Sequence, residues 1–237
     1  MRVPASPLDP ARRVGHSTGM SLPPPPALAP DIQALIFDCD GTLADTFAAH
    51  YRAFRYTLAD YNVEFTAAFY AARLGMSRRL LLAALAEQTG AIIDDADIAA
   101  RSPALFAGNA HLIRPIPFTG DLVRRHRGTY RLAVASAAQR KMVDTSLNAI
   151  GLIDLFDTVV TIEDVANGKP APDLFLKAAA NLGVEPAQCH VFEDSNEGLE
   201  AARRAGMAAT DIRPYYQPDP STWDQIPPSS ARSDNRR

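Results

Sequence analysis

The sequence predicts an α/β protein with a doubly wound parallel sheet and a helical domain inserted after the first strand. Ala34–Phe37 is an apolar run too short for a helix, and its bulky side chains indicate a strand buried on both faces. From Pro115 to Ile212, helical and strand-like segments alternate regularly, which is typical of right-handed crossovers in a parallel sheet. Residues 47–110, between these two parts, carry helical patterns and no strand pattern. The chain therefore predicts one domain built on a sheet and one built of helices.

The inserted segment predicts four helices. Apolar side chains recur at alternating four- and three-residue steps, which places Phe47, Tyr51, Phe54, Leu58 and Tyr61 on one face of the first helix. The other predicted helices are one over 65–73, one that Ser77 begins and Gly90 ends, and one from Asp94 with a kink or a division into two helices at Ser102-Pro103.

The rest of the chain predicts the helices and strands of the sheet domain. Short apolar or β-branched runs indicate the strands, and longer segments that end at glycine indicate the helices. In chain order these are a helix over 121–127, a strand over 131–135, a helix over 139–150, a strand over 158–161, a helix over 172–182, a strand over 189–192, a helix over 196–205 and a strand over 208–212.

These patterns give the domain boundaries. We expect the sheet domain to comprise residues 31–46 and 111–213, and the helical domain to comprise residues 47–110. Domain movements need flexible connections, so hinges are expected near residues 43–46 and 114–117.

Both ends of the chain are rich in proline and polar residues. Residues 1–30 include four consecutive prolines and are predicted to be a disordered leader. Residues 214–237 are predicted to be a mostly disordered tail, with Trp223 holding part of it to the surface.

Composition limits the classes of function. The net charge of −3 offers no basic field for nucleic acid or for an anionic membrane, and we expect neither as a partner. No apolar run is long enough to span a bilayer, and the N-terminus lacks the apolar stretch of a secretory signal. Cys39 and Cys189 fall in apolar, strand-like segments, which predicts buried free thiols in a cytoplasmic, reducing compartment.

Two carboxylates directly follow the first strand. Asp38 and Asp40 are placed at the carboxyl end of Ala34–Phe37, where open α/β sheets bind their ligands. Carboxylates this close repel each other and are costly to bury, and a divalent cation with oxygen ligands, Mg²⁺, relieves both effects. The alternative is that both are turn residues before Gly41.

Other polar groups fall at the ends of later strands. Ser136 follows one strand, Glu193 and Asp194 follow another, and Lys169 lies in the loop Gly168-Lys169-Pro170. Each has a structural alternative: a helix N-cap for the serine, a solvated surface position for the lysine, and favourable helix-start charges for the acids. Together they predict a metal-assisted site for a dianion.

These motifs, in this order, resemble the haloacid dehalogenase superfamily of phosphotransferases. The resemblance covers residues 33–213, and the helical insertion lies where that superfamily has a helical cap domain. Residues 168–175 (GKPAPDLF) and 192–207 (FEDSNEGLEAARRAGM) are similar to the β-phosphoglucomutase-like group.

The resemblance implies a role for each acid. Asp38 is expected to be the nucleophile that forms an aspartyl-phosphate, and Asp40 the general acid and base. The side chain of Asp38 and the backbone carbonyl of Asp40 are expected to bind Mg²⁺ together with Asp194, assisted by Glu193. An acid at position 40 also argues against a dehalogenase, which needs no proton donor for its leaving group.

The same resemblance implies which residues contact the phosphoryl group and which contact the rest of the substrate. Ser136, Lys169 and Thr42 are expected to hold phosphoryl oxygens. In the cap, the substrate is expected to meet the residues His50, Gly75, Ser77 and Arg78. His50 is alternatively a histidine at the edge of the cap core, and for Arg101 a solvated surface position is favoured over a substrate contact.

We therefore expect a monomeric, Mg²⁺-dependent phosphohydrolase acting on a small phosphorylated metabolite, in particular a sugar phosphate. The alternative is a β-phosphoglucomutase-type phosphomutase, which must grip both ends of a bisphosphate. Ala138 and Arg140 stand where the mutases resembled here place polar phosphate-binding side chains, which weighs against that activity. A third hypothesis, a non-catalytic phosphate-binding scaffold, predicts the loss of a key residue, and none is lost.

Overall fold

The computed structural model describes residues 23–225, which form a five-stranded parallel sheet, a two-stranded ribbon and a group of helices within residues 47–110 that we call the cap. The strands are β1 (Ala34–Phe37), β2 (Ala44–Asp45), β3 (Arg114–Pro115), β4 (Arg131–Ala135), β5 (Thr158–Val160), β6 (Cys189–Glu193) and β7 (Ala208–Asp211). The helices are α1 (Phe47–Ala59), α2 (Ala67–Ala71), α3 (Arg78–Thr89), α4 (Asp95–Gly108), α5 (Pro117–His126), α6 (Arg140–Ala149), α7 (Asp173–Leu182) and α8 (Asn196–Arg204). Short 3₁₀ helices lie at Ala110–Leu112, Ile153–Leu155, Ile162–Asp164, Pro186–Gln188 and Pro220–Gln225. No helix among these is long and apolar enough to cross a membrane.

The sheet has the strand order β5-β4-β1-β6-β7, and its strands are parallel, as predicted. β1 is central and fully buried because it pairs with β4 on one side and β6 on the other. Phe37 is aligned with Val134 and with Phe192. The residues that follow these three positions therefore share one edge of the sheet.

Side-chain alternation along β1 supplies a core on each face of the sheet. Leu35 and Phe37 join one apolar cluster, while Ala34 and Ile36 join the other. Burial of each large apolar side chain stabilises the fold by roughly 1.5–3 kcal/mol. A shift of the strand by one residue would exchange the side chains of the two faces, so this burial fixes the register.

The cap forms around α1 and α4, which pack against each other. The predicted apolar stripe is confirmed, since Phe47, Tyr51, Phe54 and Leu58 are buried in one cluster. Ser77 is the N-cap residue of α3, as predicted, but its side chain makes no capping hydrogen bond.

Of the two alternatives predicted at Ser102-Pro103, the division into two helices is wrong, because α4 runs unbroken through Pro103, and the kink stays a prediction. Proline removes one helical hydrogen bond, but tertiary packing outweighs that loss here. Ile98 and Phe106, on either side of the proline, are both fully buried and hold the helix against its neighbours.

The two connections between sheet domain and cap lie side by side. β2 and β3 pair antiparallel, with Ala44 opposite Pro115 and Asp45 opposite Arg114. These two-residue strands are too short to give a pattern in the sequence. They occupy the positions predicted for the hinges, and the hinge movement itself stays a prediction.

Part of the predicted disordered tail is folded. Residues 220–225 form a 3₁₀ helix, and Trp223 is only 3% exposed within the apolar cluster of the cap, not held to its surface. Residues 23–30 of the predicted leader contain no helix or strand. The predictions for residues 1–22 and 226–237 lie outside the described part of the chain.

Candidate active site

Three buried or half-buried acids meet at the carboxyl edge of the sheet. Asp38 follows β1, Glu193 ends β6 and Asp194 comes next, and carboxylate oxygens of the three lie within 4.8 Å of one another. The aligned ends of β1 and β6 explain this proximity. The sequence predicted this meeting of acids from strand ends alone.

Lys169 lies between two of these acids. Its Nζ is 2.5 Å from Asp38 Oδ1 and 2.7 Å from Glu193 Oε2, and its side chain is 4% exposed. Burial alone would lower the pKa of Lys169, but the two carboxylates raise it above its ordinary value, so the ammonium stays charged. This buried ion pair rules out the alternative of a solvated surface lysine.

The three carboxyl groups can together carry more negative charge than the single ammonium group of Lys169 balances. Burial, reinforced by the charge of Glu193 and opposed by Lys169, raises the pKa of Asp38 to about 7. Burial together with the charges of Glu193 and Asp38 raises the pKa of Asp194 well above its ordinary range. Excess negative charge among oxygen ligands is the environment that suits a divalent cation such as Mg²⁺, so the residues fit the predicted metal.

Glu193 is held by the protein on both of its oxygens. Oε1 accepts hydrogen bonds from Asp194 N at 3.1 Å, Ser195 N at 3.0 Å and Ser195 Oγ at 2.8 Å, while Oε2 accepts from Lys169. A Cβ on Gly198 would collide with this carboxylate. Glu193 therefore organises the loop after β6 and the lysine, and Gly198 leaves the room it needs.

Asp194 is held from the loop after β1. Thr42 Oγ1 donates to Asp194 Oδ1 at 3.2 Å, and a Cβ on Gly41 would overlap the same carboxylate. Thr42 was predicted to hold phosphoryl oxygens. In this structure its hydroxyl instead donates a hydrogen bond to the carboxylate of Asp194. Sequence reasoning missed the packing roles of Gly41 and Gly198, because a glycine carries no sign of what lies opposite it.

Asp40 faces the first helix of the cap. His50 Nε2 lies 3.5 Å from Asp40 Oδ1, and the His50 ring packs on Phe106 with 4.5 Å between ring centroids. Asp40 Oδ1 is buried and accepts no hydrogen bond from the described residues. Burial opposes ionisation of Asp40, but His50 and the hydroxyl of Thr46 lower the pKa of this carboxyl. His50 is thus half-buried at the edge of the cap core and is also a neighbour of Asp40.

Ser136 lies where the sequence predicted, directly after β4 and buried. Its backbone N–H donates to Val160 O at 3.0 Å, and its Oγ accepts from Ala138 N at 3.1 Å. The alignment of β4 with β1 puts it at the same edge of the sheet as Asp38.

The cap residues predicted to meet the substrate divide into two groups. Gly75 lies against the acid loop, since a Cβ on it would be 3.3 Å from Ser195 Cβ, and the exposed Ser77 follows two residues later. Arg78 instead pairs with Asp95 inside the cap, at 2.8 Å from Nε to Oδ1 and 3.3 Å from Nη2 to Oδ2.

The predicted surface role of Arg101 agrees with its contacts. Its guanidinium pairs with Asp97 at 2.9 Å and with Asp60. Both partners belong to the cap, which keeps this arginine away from the acids of the sheet domain.

A cleft of about 590 Å³ lies between cap and sheet domain. Its walls come mainly from the loops of the acid site, the end of α2 with the loop before α3, and the segment after β7, and α1 and α3 contribute one residue each. The lining residues are Gly41, Phe47, Ala71, Ala72, Arg73, Leu74, Gly75, Met76, Leu80, Asp194, Ser195, Asn196, Glu197, Arg213, Tyr216, Gln217, Pro218 and Pro220.

Residues 35–212 match the family described as haloacid dehalogenase-like hydrolase. The chain belongs to this family. This match, together with the relatives and solved structures described next, confirms the predicted family, the predicted α/β fold class and the prediction that this haloacid dehalogenase-like hydrolase is an enzyme.

Its curated relatives include phosphatases and a mutase. The chain is 36% identical to fructose-1-phosphate phosphatase YqaB of Escherichia coli (strain K12), over 76% of its own length and 95% of that protein. It is 28% identical to β-phosphoglucomutase of Bacillus subtilis, over 76% of its own length and 83% of that protein.

Solved structures of a mutase and of CbbY are similar to this chain in fold. β-Phosphoglucomutase from Clostridium difficile matches with a TM-score of 0.65 and 25% identity, covering 76% of this chain and 84% of the other. CbbY from Rhodobacter sphaeroides, in complex with xylulose-(1,5)bisphosphate, matches with a TM-score of 0.64 and 28% identity, covering 75% and 84%.

Proposed function

We propose that this hydrolase is a Mg²⁺-dependent phosphatase that acts on a small phosphorylated metabolite, a sugar phosphate, through an aspartyl-phosphate at Asp38. The observation that carries the proposal is the buried cluster in which Lys169 bridges Asp38 and Glu193 beside Asp194. Relatives named for sugar-phosphate hydrolysis support it.

In the first step, the Asp38 carboxylate attacks phosphorus and the bond from phosphorus to the ester oxygen breaks. Asp40 gives a proton to the departing oxygen, since an alkoxide is a poor leaving group. In the second step, water attacks the phosphorus of the aspartyl-phosphate while Asp40 takes its proton. Inorganic phosphate leaves and the Asp38 carboxylate is restored.

Asp38 and Asp194 would hold Mg²⁺ through their side chains and Asp40 through its backbone carbonyl. When bound, the metal draws negative charge from the phosphoryl oxygens. Lys169 contributes a second positive charge next to the nucleophile, and its contact with Glu193 keeps it in place.

Asp40 needs a proton before it can act as an acid. The lowered pKa of Asp40 leaves it ionised in the free protein at neutral pH. Asp40 therefore takes up a proton when the substrate binds, and His50 lies 3.5 Å from the same carboxyl. Oδ1 of Asp40 is buried and faces His50, so Oδ2 is the carboxylate oxygen left to meet the leaving oxygen.

The arginines near the cleft favour a phosphatase over a mutase. Arg78 is paired with Asp95, and Arg73 donates to Phe69 O at 3.0 Å while stacking on the Phe69 ring. Arg213 is paired with Asp211. A mutase must hold the second phosphate of a bisphosphate, and these cations are already engaged.

The mutase remains the second candidate, because His50 contacts Asp40 and β-phosphoglucomutase is among the relatives. Phosphorus NMR of the products separates the two activities. We expect hexose 1- and 6-phosphates to yield inorganic phosphate with Mg²⁺. Conversion of β-glucose 1-phosphate to glucose 6-phosphate faster than phosphate release, with a bisphosphate primer, would show a mutase.

The scaffold hypothesis is tested in the same assay. We expect Asp38→Asn to fold and to release no phosphate from p-nitrophenyl phosphate, because the nucleophile is gone. A variant that still turns over this substrate would remove Asp38 from the mechanism, and a wild-type protein without any turnover would favour a scaffold.

A further inference from the structure

The segment after β7 crosses from the sheet domain to the cap. We name residues 213–225 the C-terminal strap. On the sheet-domain side, the Tyr215 ring stacks on Phe118 with 3.9 Å between centroids and 7° between planes. Tyr216 OH donates to a carboxylate oxygen of Asp45, in the connection between the domains. The strap is thus fixed at its start to the sheet domain and the hinge ribbon.

The far end of the strap is fixed inside the cap. Trp223 is 3% exposed, and its ring centroid lies 6.4 Å from that of Phe47, 5.9 Å from Tyr51 and 5.7 Å from Tyr70. Tyr51 OH also donates to Asp224. An indole buried among three aromatic rings is a firm attachment, because large aromatic side chains dominate packing energetics.

The middle of the strap is a wall of the cleft. Gln217, Pro218 and Pro220 line it together with Met76 of the cap loop and Asp194 of the acid site. The two prolines have fixed φ angles, so this stretch has few alternative backbone conformations. A short, stiff segment held at both ends limits how far the cleft can widen on that side.

We propose that the C-terminal strap determines substrate specificity by closing one side of the cleft, so that only small phosphate monoesters are accepted. The anchor is Trp223, a positioning residue, and Gln217 is the exposed strap residue that lines the cleft together with Asp194. This inference rests on the proposed phosphatase function and adds the size class of its substrate.

The test compares kcat/KM for acetyl phosphate, a hexose phosphate and a disaccharide phosphate in three variants of the full chain. Trp223→Ala releases the anchor, and Gln217→Trp adds bulk at an exposed wall position. The control, Gln225→Trp, adds the same bulk at an exposed strap position that does not line the cleft. Acetyl phosphate is too small to sense the wall, so its hydrolysis reports the proposed phosphatase activity separately.

We expect Trp223→Ala to raise the disaccharide-to-hexose ratio of kcat/KM by about tenfold, and Gln217→Trp to lower the hexose-to-acetyl ratio by about tenfold. The control should match wild type in both ratios. If Trp223→Ala fails to fold by circular dichroism, Gln217→Trp decides alone, since its side chain is exposed. Ratios within twofold of wild type in the folded variants would overturn the proposal, while wild type inactive on acetyl phosphate would count against the phosphatase function instead.

Discussion

Lys169 is the residue on which the charge balance of the site depends. It contacts Asp38 and Glu193 directly, yet a third acid, Asp194, lies in the same cluster. Strand ends alone predicted that the acids would meet, whereas the resemblance to the family implied that Lys169 would join them. The sequence did not predict that both carboxylate oxygens of Glu193 would accept hydrogen bonds from the protein. These bonds depend on the path of the loop after β6.

Asp40 gives a prediction about leaving groups. Asp40→Asn should slow hydrolysis of a sugar phosphate by about 10²-fold or more, because its alkoxide needs a proton. It should slow p-nitrophenyl phosphate much less, since p-nitrophenolate leaves without one. Steady-state kinetics on both substrates checks this, and equal slowing would remove Asp40 from the acid role.

Gly198 gives a prediction that runs against helix propensity. Gly→Ala inside a helix ordinarily stabilises by roughly 0.5–1 kcal/mol. Gly198→Ala should instead destabilise the protein and reduce activity, because the new Cβ would displace Glu193 and, through it, Lys169.

The control for this prediction is Gly108→Ala, at a helical glycine with open space around the Cβ position. It should leave activity unchanged. Thermal unfolding and p-nitrophenyl phosphate assays on the two variants, run side by side, make the comparison. Wild-type activity in Gly198→Ala would show that Glu193 does not position the lysine.

At the scale of elements, periodicity predicted α1 and the sheet strands because their apolar spacing is set by burial. It could not predict the unbroken α4, since the packing of Ile98 and Phe106 that overrides Pro103 involves residues distant in the chain. It also could not predict the β2–β3 ribbon, because two residues carry no period.

The loop before α3 gives a prediction at this scale. Gly75 has φ +80°, a conformation that other residues adopt at a cost, and it lies against Ser195. Gly75→Ala should cost about 1 kcal/mol of stability and also lower kcat/KM for the sugar phosphate by about tenfold, because the loop can no longer approach the acid site.

Gly90→Ala is the matched control, with φ +72° at the end of α3 and nothing near its Cβ position. It should cost similar stability and leave kcat/KM unchanged. If both variants lose kcat/KM equally, the loss comes from a destabilised cap and not from the loop's contact with Ser195.

At the scale of the whole molecule, the fold could be predicted because strand ends, helix alternation and the inserted helices are all local patterns. Of the C-terminal strap, only an attachment by Trp223 to the surface was predicted, since proline-rich and polar composition predicts disorder unless a partner surface is known. The aromatic cluster that receives Trp223 is assembled from α1 and α2, and no local pattern shows that it has room for one more ring.

Metal binding should be linked to pH. In the metal-free protein the raised pKa of Asp38, about 7, means that the folded state holds a proton there that the unfolded chain has already lost. This contribution favours folding at low pH and is lost as pH rises toward 7. Mg²⁺ must displace that proton, so it should bind more tightly above pH 7.

The rise in unfolding temperature caused by a fixed Mg²⁺ concentration should therefore be larger at about pH 8 than at about pH 5.5. Asp194→Asn, which removes one expected ligand, should show little rise at either pH. An equal rise at both values in wild type would mean that the metal does not bind at the acid cluster.

The central claim is that Asp38 becomes phosphorylated with the acids and Lys169 assembled around it. Fluorine NMR with beryllium fluoride, which mimics an acyl-phosphate on a carboxylate, tests it most directly. We expect protein-bound signals that require Mg²⁺ in wild type and in Asp40→Asn, and none in Asp38→Asn. The same signals in Asp38→Asn, or none in the folded wild-type protein with Mg²⁺, would contradict the account.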